Sequence, residues 1–235
     1  VATVTIQAQP DAGLDGNLTI CNTNTSTIDL YSLITGEQTG GTWVRTSGSG
    51  GVFNAASGLF TPSLTTTTSS FTYTITGVAP CVSDSSLATL TVNIQPTAGN
   101  SGSTSVCETS TTTINLFNLI TGEQTGGTWV RTSGSGGNFD AVNGLFTPAV
   151  GATTSTFTYT VNGVNPCGPD SSVATVNISL APNAGADGSI TVCQSTTPIN
   201  LATLITGEQA GGTWVRTSGT GGIFSPGAGT FVPTF

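Results

Sequence analysis

The sequence contains no histidine, no lysine and no methionine, and its only basic residues are three arginines. Without histidine, the chain lacks the side chain that most often serves as a catalytic base and as a metal ligand, and no nucleophile constellation takes its place. Without lysine, the Lys–Asn and Lys–Asp isopeptide bonds that lock many cell-surface sandwich domains cannot form. We therefore expect a protein that is not an enzyme and that has no cofactor and no metal centre.

Charged residues are also scarce. They make up 6% of the chain, and eleven scattered acids against three arginines give a net charge of −8. Such a surface cannot neutralise a phosphate backbone, which excludes nucleic acid as a partner. It also lacks the basic patch that binds anionic membranes, and no apolar run reaches the roughly 18 to 20 residues of a spanning helix. We expect neither nucleic-acid binding nor membrane insertion.

Strong helix formers are few, whereas Thr, Ser, Gly and Val dominate the composition. Two segments alternate aromatic or branched side chains with threonine, namely FTYTI at residues 71–75 and FTYTV at residues 157–161. This alternation is typical of strands that bury one face. The composition and the pattern together predict an all-β fold.

The most prominent feature is a block that occurs three times. LITGEQTGGTWVRTSGSGG stands at residues 33–51 and again at 119–137, and LITGEQAGGTWVRTSGTGG stands at 204–222. The tryptophans of the block, Trp43, Trp129 and Trp214, are 86 and 85 positions apart. A period of this length indicates an array of whole small domains, because the shorter units of solenoids do not each enclose a core of their own.

Each repeat opens on a Pro-x-Ala-Gly segment, at Pro10, Pro96 and Pro182. Proline fixes φ and glycine allows a turn, so these segments, here called the joints, read as short and semi-rigid links. We expect the last strand of a preceding repeat at residues 1–9, whole repeats at 10–95 (repeat 1) and 96–181 (repeat 2), and an incomplete repeat at 182–235 (repeat 3). Seven short strands per unit predict tandem Ig-like β-sandwiches in an elongated array.

The incomplete ends have two interpretations. The plain one is that the chain is a piece of a longer protein. The alternative is a strand-exchanging filament subunit, in which residues 1–9 serve as a donor strand for an incomplete neighbour.

The cysteines follow the same period. Cys21, Cys107 and Cys193 are spaced by 86 positions, as are Cys81 and Cys167, so each complete repeat holds two. We predict disulfides within repeats, Cys21–Cys81 and Cys107–Cys167, and a partner outside the chain for Cys193. Each loop of about 60 residues would contribute roughly 4 kcal/mol in the loop-entropy model. Buried free thiols are the alternative, and the disulfides imply an oxidising compartment.

Each block also carries one acid and one base, which we predict to form structural ion pairs: Glu37–Arg45, Glu123–Arg131 and Glu208–Arg216. An exposed pair of this kind contributes at most about 1 kcal/mol. The alternative, an acid–base catalytic pair, lacks the second acid or nucleophile that it would need.

Trp43, Trp129 and Trp214 have two interpretations as well. One tryptophan in a small sandwich is usually the anchor of its core, and we predict that role for all three. If the indoles were exposed in a groove, they could instead stack on a sugar, and the chain would be a carbohydrate-binding module.

Asp11, Asp15 and Asp187 stand in the joints and could bind Ca²⁺ between domains. The second joint has Thr97 and Ser101 where the first has Asp11 and Asp15. A calcium site shared by every joint is therefore not expected.

Taken in order, the motifs are PDAGxDG, TVC, IDLxxLxTGE, GGTWxrtSGtGG, GxFTP, FTYTVxGvxPC and a closing TVxI strand. This order resembles the tandem Ig-like repeats of very large Bacteroidota cell-surface proteins, above all flavobacterial gliding-motility adhesins, and the resemblance covers the whole chain. It implies export by type IX secretion, an extracellular or cell-surface location, and display as a filament or stalk with an adhesive role. Implied partners are neighbouring repeats, surface polysaccharide or other cells.

Overall fold

The computed structural model describes residues 1–234, and its regular structure is almost entirely β. The strands of repeat 1 are β1 (Gly16–Cys21), β2 (Ile28–Asp29), β3 (Thr42–Ser47), β4 (Val52–Asn54), β5 (Leu59–Thr61), β6 (Ser69–Ile75) and β7 (Asp84–Asn93). Those of repeat 2 are β8 (Gly102–Cys107), β9 (Ile114–Asn115), β10 (Thr128–Ser133), β11 (Asn138–Asp140), β12 (Leu145–Thr147), β13 (Ser155–Val161) and β14 (Asp170–Ser179). Those of repeat 3 are β15 (Ile199–Asn200), β16 (Ile223–Ser225) and β17 (Thr230–Val232). Among residues 1–234, no helix has the length and apolar character needed to cross a membrane.

Repeats 1 and 2 each contain two sheets. In repeat 1 the order is β1-β7-β6-β3 in the larger sheet and β2-β5-β4 in the smaller one, and repeat 2 has the equivalent orders β8-β14-β13-β10 and β9-β12-β11. The first and last strands of each repeat pair in parallel, and all other pairs are antiparallel. Two sheets of four and three short strands around one core are the architecture of an Ig-like β-sandwich. The chain is a tandem array of such sandwiches.

The alternating segments form the central strands of the larger sheets. In β6, Ser69, Phe71 and Tyr73 are buried, and the residues between them are only partly covered. The neighbouring β7 buries Ser86, Ala88 and Leu90 in the same manner. One face of each strand therefore lies on the core, as the alternation of side chains predicts.

Each of these repeats has a hydrophobic core of its own. The core of repeat 1 contains Ala12, Ile20, Ile28, Leu30, Ile34, Trp43, Phe60, Phe71, Tyr73, Ala88 and Leu90. The core of repeat 2 contains Ala98, Leu116, Ile120, Trp129, Phe146, Phe157, Tyr159, Val161, Ala174 and Val176. The two clusters share no residue, so each repeat encloses a core of its own.

A single 3₁₀ turn follows the first strand of each smaller sheet, at Leu30–Ser32, Leu116–Asn118 and Leu201–Leu204. The side chain of the residue before the turn caps it: Asp29 accepts from the Tyr31 N–H, Asn115 from Phe117 and Asn200 from Ala202. This explains the polar residue in the Ile-Asp/Asn-Leu motif, because capping is the typical role of short Asp and Asn side chains. In repeats 1 and 2 the turn places an aromatic ring, Tyr31 or Phe117, against the tryptophan.

The secondary structure departs from expectation in residues 1–9 and in repeat 3, where residues 188–193, the counterpart of β1 and β8, also form no strand. Residues 1–9, expected to form a strand, contain none, and Val1, Val4 and Ile6 are exposed. In repeat 3 the TWVRTS segment at residues 213–218 is not a strand, although it is β3 in repeat 1 and β10 in repeat 2. The reason is pairing: β3 bonds to β6 and β10 to β13, and residues 182–234 include no counterpart of those strands.

Candidate functional site at the joint between repeats

One disulfide crosses the joint between repeats 1 and 2. It links Cys21, the last residue of β1, to Cys167 in the loop between β13 and β14, with their Cα atoms 5.0 Å apart. The two cysteines are 146 positions apart in the sequence. The Sγ atom of Cys167 lies 3.4 Å from the carbonyl oxygen of Asn93, the last residue of β7. The disulfide therefore lies beside the peptide link, and two covalent connections hold the repeats together.

The predicted Cys21–Cys81 and Cys107–Cys167 disulfides are wrong. Because β1 runs parallel to β7, Cys21 lies opposite Asn93 at the far end of β7, whereas Cys81 precedes the near end. Ten residues of strand span about 30 Å at roughly 3.3 Å per residue. Disulfides require Cα atoms within about 7 Å. The two cysteines of one repeat therefore lie at opposite poles and cannot pair.

Three cysteines, Cys81, Cys107 and Cys193, carry free thiols in the part of the chain that the structure describes. The Cys81 thiol donates to the carbonyl oxygen of Gln7 at 3.5 Å. The Cys107 sulfur lies 3.2 Å from the hydroxyl oxygen of Thr109, and this hydrogen bond lowers the pKa of the Cys107 thiol. Cys193 is exposed, and its partner outside the chain stays a prediction.

Side-chain hydrogen bonds accompany the disulfide between repeats 1 and 2. The Asn93 side chain donates to the carbonyl oxygen of Asn165 at 2.8 Å, and the Gln95 side chain donates to that of Gly168 at 3.0 Å. The backbone N–H of Gln95 donates to the Asn22 side chain at 2.9 Å. The loop that carries Cys167 is therefore seated on the end of repeat 1 by side chains that neighbour Cys21.

The joint segments themselves fold onto the repeat that follows them. The backbone N–H of Ala12 donates to the Asp84 carboxylate at 2.7 Å, and the Ser86 hydroxyl donates to the Ala12 carbonyl at 2.7 Å. The backbone and side chain of Gln38 both bond to the backbone of Asp11. Repeat 2 has the same contacts, formed by Ala98, Asp170, Ser172, Gln124 and Thr97. The joints are thus built into the sandwiches rather than left as free linkers.

Two of the carboxylates considered for calcium, Asp11 and Asp15, accept hydrogen bonds from backbone N–H groups. Asp11 accepts from the N–H two residues on at 2.9 Å, and Asp15 accepts from the Leu87 N–H at 2.8 Å. In repeat 2 the hydroxyl of Ser101 stands in the place of the Asp15 carboxylate and accepts from the Val173 N–H at 2.9 Å. Among residues 1–234, no group of three His, Cys, Asp or Glu is placed to hold a metal ion.

The guanidinium of Arg45 bonds to carbonyl and hydroxyl oxygens, not to Glu37. It donates to the carbonyl oxygen of Gly50 at 2.7 Å and to the hydroxyl of Ser69 at 2.7 Å. Arg131 makes the equivalent bonds to Gly136 and Ser155 at 2.7 and 2.6 Å. The ion pairs predicted for Arg45 and Arg131 are therefore wrong. Each arginine instead connects the glycine-rich turn to the start of β6 or β13 by hydrogen bonds.

The same arginines lie over aromatic rings of the core. Arg45 is 5.2 Å from the centroid of Phe60 and 5.6 Å from that of Phe71. These distances are within the range of cation–π contacts. Burial against the rings lowers the pKa of Arg45 and of Arg131. In repeat 3, Arg216 lies 5.6 Å from Phe231 and donates only to the carbonyl oxygen of Ser218, within the described residues.

Trp43 and Trp129 are buried, with 2% and 4% of their surface exposed. Trp43 packs against Tyr31 and Tyr73, with ring centroids 5.5 and 5.1 Å away. Its indole N–H has no hydrogen-bond partner, and a Cβ atom at Gly58 would lie 2.8 Å from it. An indole enclosed in this way cannot stack on a sugar.

Trp214 differs because repeat 3 has a cavity where the other repeats have a tyrosine. The cavity measures about 550 Å³, and its lining includes Pro182, Ile205, Gly212 and Trp214, the last of which is half-buried. In repeat 1 the Tyr73 hydroxyl occupies the corresponding place, accepting from the Gly41 N–H at 2.9 Å. Residues 182–234 include no counterpart of Tyr73.

No family model matches the chain, and no curated protein matches it. Solved structures of tandem Ig domains are similar to it. The I-band fragment I67–I69 of titin is 12% identical with a TM-score of 0.39, over 71% of this chain and 64% of the fragment. The first four Ig domains of Dscam1 isoform 6.9 are 10% identical with a TM-score of 0.37, over 74% of this chain and 45% of theirs.

The insect immune protein hemolin is 14% identical with a TM-score of 0.36, over 74% of this chain and 46% of its own. The chain thus spans less than two thirds of each of these three structures. The likenesses are distant, and the Ig-like assignment rests on the two sheets and their strand orders.

Sequence reasoning missed the disulfide between repeats 1 and 2. The available signal was the position of each cysteine relative to its strand: Cys21 ends the first strand and Cys81 precedes the last one. If the first and last strands are taken to pair in parallel, the two cysteines of one repeat lie at opposite ends of the sandwich. The contacts of Asn93 and Gln95 with the Cys167 loop gave no separate sequence signal.

Proposed function

We propose that this chain is a structural or adhesive repeat segment of a large extracellular protein, part of a stalk or surface filament. The observation that carries the proposal is the Cys21–Cys167 disulfide across the joint. A disulfide, two side-chain hydrogen bonds between the repeats and a joint folded onto the next repeat favour a fixed relation between neighbours, which a spacer under load requires. The boundaries at Pro10, Pro96 and Pro182, with residues 1–9 belonging to a preceding repeat, are part of this proposal.

The location follows from redox chemistry. Structural disulfides persist in oxidising environments such as the cell exterior and are rare in the cytosol. The finer proposal, a gliding-motility adhesin exported by type IX secretion, is supported by the resemblance of the repeated motifs alone.

The proposed partners are neighbouring repeats and, at the exposed faces, surface polysaccharide or other cells. The outer face of β10 and β13 carries neighbouring threonine hydroxyls: Thr132 Oγ1 is 2.9 Å from Thr156 Oγ1 and 3.2 Å from Thr158 Oγ1. Uncharged hydroxyls offer both donors and acceptors to a sugar. This face, rather than the buried tryptophans, is where an adhesive contact is expected.

The proposal is tested on intact cells of the source organism. An antibody against the chain should label their surface, and deletion of the repeats should reduce adhesion. Replacing the repeats with an equal number of unrelated Ig-type domains separates the two roles: restored adhesion indicates a spacer, and adhesion that stays lost indicates an adhesive surface. Absence of surface label, or unchanged adhesion after deletion, would contradict the proposal.

A strand-exchanging filament subunit is the second candidate. It is favoured by the exposed apolar residues of segment 1–9, including Val4 and Ile6, and by the open cavity beside Trp214 in repeat 3. Light scattering of the purified chain tests it. A mass that grows in steps with concentration supports strand exchange, and a single 23.4 kDa species opposes it.

A further inference from the structure

The surroundings of Cys81 reproduce those of Cys167 one period earlier in the chain. The sulfur of Cys81 lies 3.5 Å from the carbonyl oxygen of Gln7, and that of Cys167 lies 3.4 Å from that of Asn93. Both the two cysteines and the two carbonyls are 86 positions apart. The segment before repeat 1 therefore docks on the Cys81 loop as the end of repeat 1 docks on the Cys167 loop.

A side-chain contact repeats as well. The amide of Gln9 donates to the carbonyl oxygen of Val82 at 3.3 Å, as that of Gln95 donates to Gly168 at 3.0 Å. Each glutamine precedes the proline of its joint. The two joints are thus built alike, although only one of them carries a disulfide.

Cys107 in turn reproduces Cys21. Each is the last residue of the first strand of its repeat, which pairs in parallel with the last strand: Cys107 opposite Ser179 and Cys21 opposite Asn93. Cys107 is therefore at the exit pole of repeat 2, where the next repeat begins. The Thr109 hydroxyl lowers the pKa of its thiol, which raises the fraction of thiolate, the species that attacks in disulfide exchange.

We propose that the Cys21–Cys167 disulfide is one unit of a staggered series, in which the cysteine that ends the first strand of each repeat bonds to the cysteine before the last strand of the next repeat. By this rule, Cys81 would bond to the first-strand cysteine of a preceding repeat. Cys107 would bond to the loop cysteine of a following repeat. The proposal rests on the proposed tandem array and adds its cross-linking rule. Each bond forms as two thiols lose two protons and two electrons to a disulfide oxidant, which is reduced to two thiols.

The stagger shortens the covalent path along the array. Cys81 and Cys107 are 26 positions apart, and a disulfide from Cys107 would reach the second cysteine of the next repeat. The shortest covalent path runs from Cys81 along the chain to Cys107 and then through the disulfide to the loop cysteine of the next repeat. It therefore crosses two repeats with 26 residues and one disulfide. Disulfides within repeats would require twice as many residues for the same two repeats. At about 3.3–3.6 Å per extended residue, two repeats could lengthen to only about 90 Å even if every strand were pulled apart. The array is predicted to transmit tension with little extension.

The test is a lengthened form of the whole chain, in which residues 96–181 occur twice in succession. The added copy gives Cys107 a complete following repeat. We expect two disulfides: the original Cys21–Cys167, and a new one from the first copy's Cys107 to the second copy's loop cysteine. They are mapped by mass spectrometry of unreduced peptides, after Val164→Ile at the exposed Val164 of the second copy has given its loop peptide a distinct mass. Three thiols should stay free, as in the original chain.

The Cys107→Ala change in the first copy is the matched control. It should abolish only the new disulfide and leave Cys21–Cys167 in place, which also reports that the chain has folded. A disulfide within either copy, or a free Cys107 beside an intact Cys21–Cys167, would overturn the proposal. Because the readout is made on purified protein, it stands or fails independently of the adhesion assay on cells.

Discussion

Arg45 is the only basic residue of repeat 1, and its side chain closes one edge of the sandwich. Its partners are the carbonyl oxygen of Gly50 and the hydroxyl of Ser69, with Phe60 and Phe71 beneath the guanidinium plane. Hydrogen bonds from a charged donor contribute more than neutral ones. The fixed planar fork of arginine suits this site, and the single ammonium of lysine does not.

Arg45→Lys should therefore lower the free energy of unfolding of repeat 1 by about 1–3 kcal/mol. The ammonium nitrogen cannot take the places of the three guanidinium nitrogens that donate to Ser47, Gly50 and Ser69. Glu37→Gln is the matched control for the ion pair predicted from sequence and should change the stability by less than about 0.5 kcal/mol. The two changes in the free energy of unfolding are measured by urea unfolding, and hydrogen exchange of the β6 amides in the native protein reports on repeat 1 alone. A larger loss of unfolding free energy from Glu37→Gln than from Arg45→Lys would instead support a Glu37–Arg45 ion pair.

Gly58 illustrates a second constraint at this scale. Its φ is +68°, and an added Cβ would lie 2.8 Å from the indole nitrogen of Trp43. Gly58→Ala should cost about 2–4 kcal/mol, since strain and a clash with a buried ring add together. Gly36→Ala is the control, because Gly36 has a similar φ of +83° but nothing within 4 Å of its added Cβ. Equal losses for the two variants, measured by urea unfolding, would show that the contact with Trp43 is unimportant.

In repeats 1 and 2, one buried tyrosine ties the central strand of the larger sheet to the segment before its edge strand. The Tyr73 hydroxyl donates to the carbonyl oxygen of Gln38 at 2.8 Å and accepts from the Gly41 N–H at 2.9 Å. It thereby ties β6 to the segment that leads into β3. Tyr159 makes the same two contacts in repeat 2, with Gln124 and Gly127.

Tyr73→Phe should destabilise repeat 1 by about 1–3 kcal/mol, because the Gln38 carbonyl and the Gly41 N–H both lose a buried partner. Tyr31→Phe is the control: repeat 2 already has phenylalanine, Phe117, at the equivalent position. Native-state hydrogen exchange at Gly41 checks the local effect. Unchanged protection of this amide in Tyr73→Phe would contradict the assigned role.

The sequence predicts strands that bury one face and expose the other. It does not predict which of these strands pair with each other when they are distant in the chain. The alternation at Phe71 and Tyr73 predicts β6 because one face must be buried. Nothing in the alternation says that β1 pairs in parallel with β7, and this pairing decides which pole carries each cysteine. The TWVRTS segment shows the same limit, since the same letters form β3 in repeat 1 and no strand in repeat 3. A strand requires its hydrogen-bonding neighbour as well as its own pattern.

At the scale of the whole molecule, the disulfide determines how far the chain can be extended. The bond between Cys21 and Cys167 removes 146 residues from the path between the two ends. At about 3.3–3.6 Å per residue this amounts to roughly 500 Å of hidden length. A spacer with this feature keeps its reach when individual sandwiches open.

Single-molecule pulling on the chain by its ends should show this hidden length. After all strands have separated, the contour should increase by about 500 Å when a reductant is added, and Cys21→Ala should give the long contour without reductant. The Cys81→Ala variant is the control and should behave like the original chain. Two separate releases of about 200 Å each would instead indicate loops closed within repeats.

Disulfides between neighbouring repeats leave a different set of free thiols from disulfides within repeats, so a count of free thiols distinguishes the two arrangements. The chain, isolated from an oxidising compartment, is unfolded without reductant, alkylated and analysed by peptide mass mapping. We predict three alkylated cysteines, Cys81, Cys107 and Cys193, and one linked pair of peptides that contain Cys21 and Cys167. A single alkylated cysteine, Cys193, with Cys21 linked to Cys81 and Cys107 linked to Cys167, would contradict this prediction.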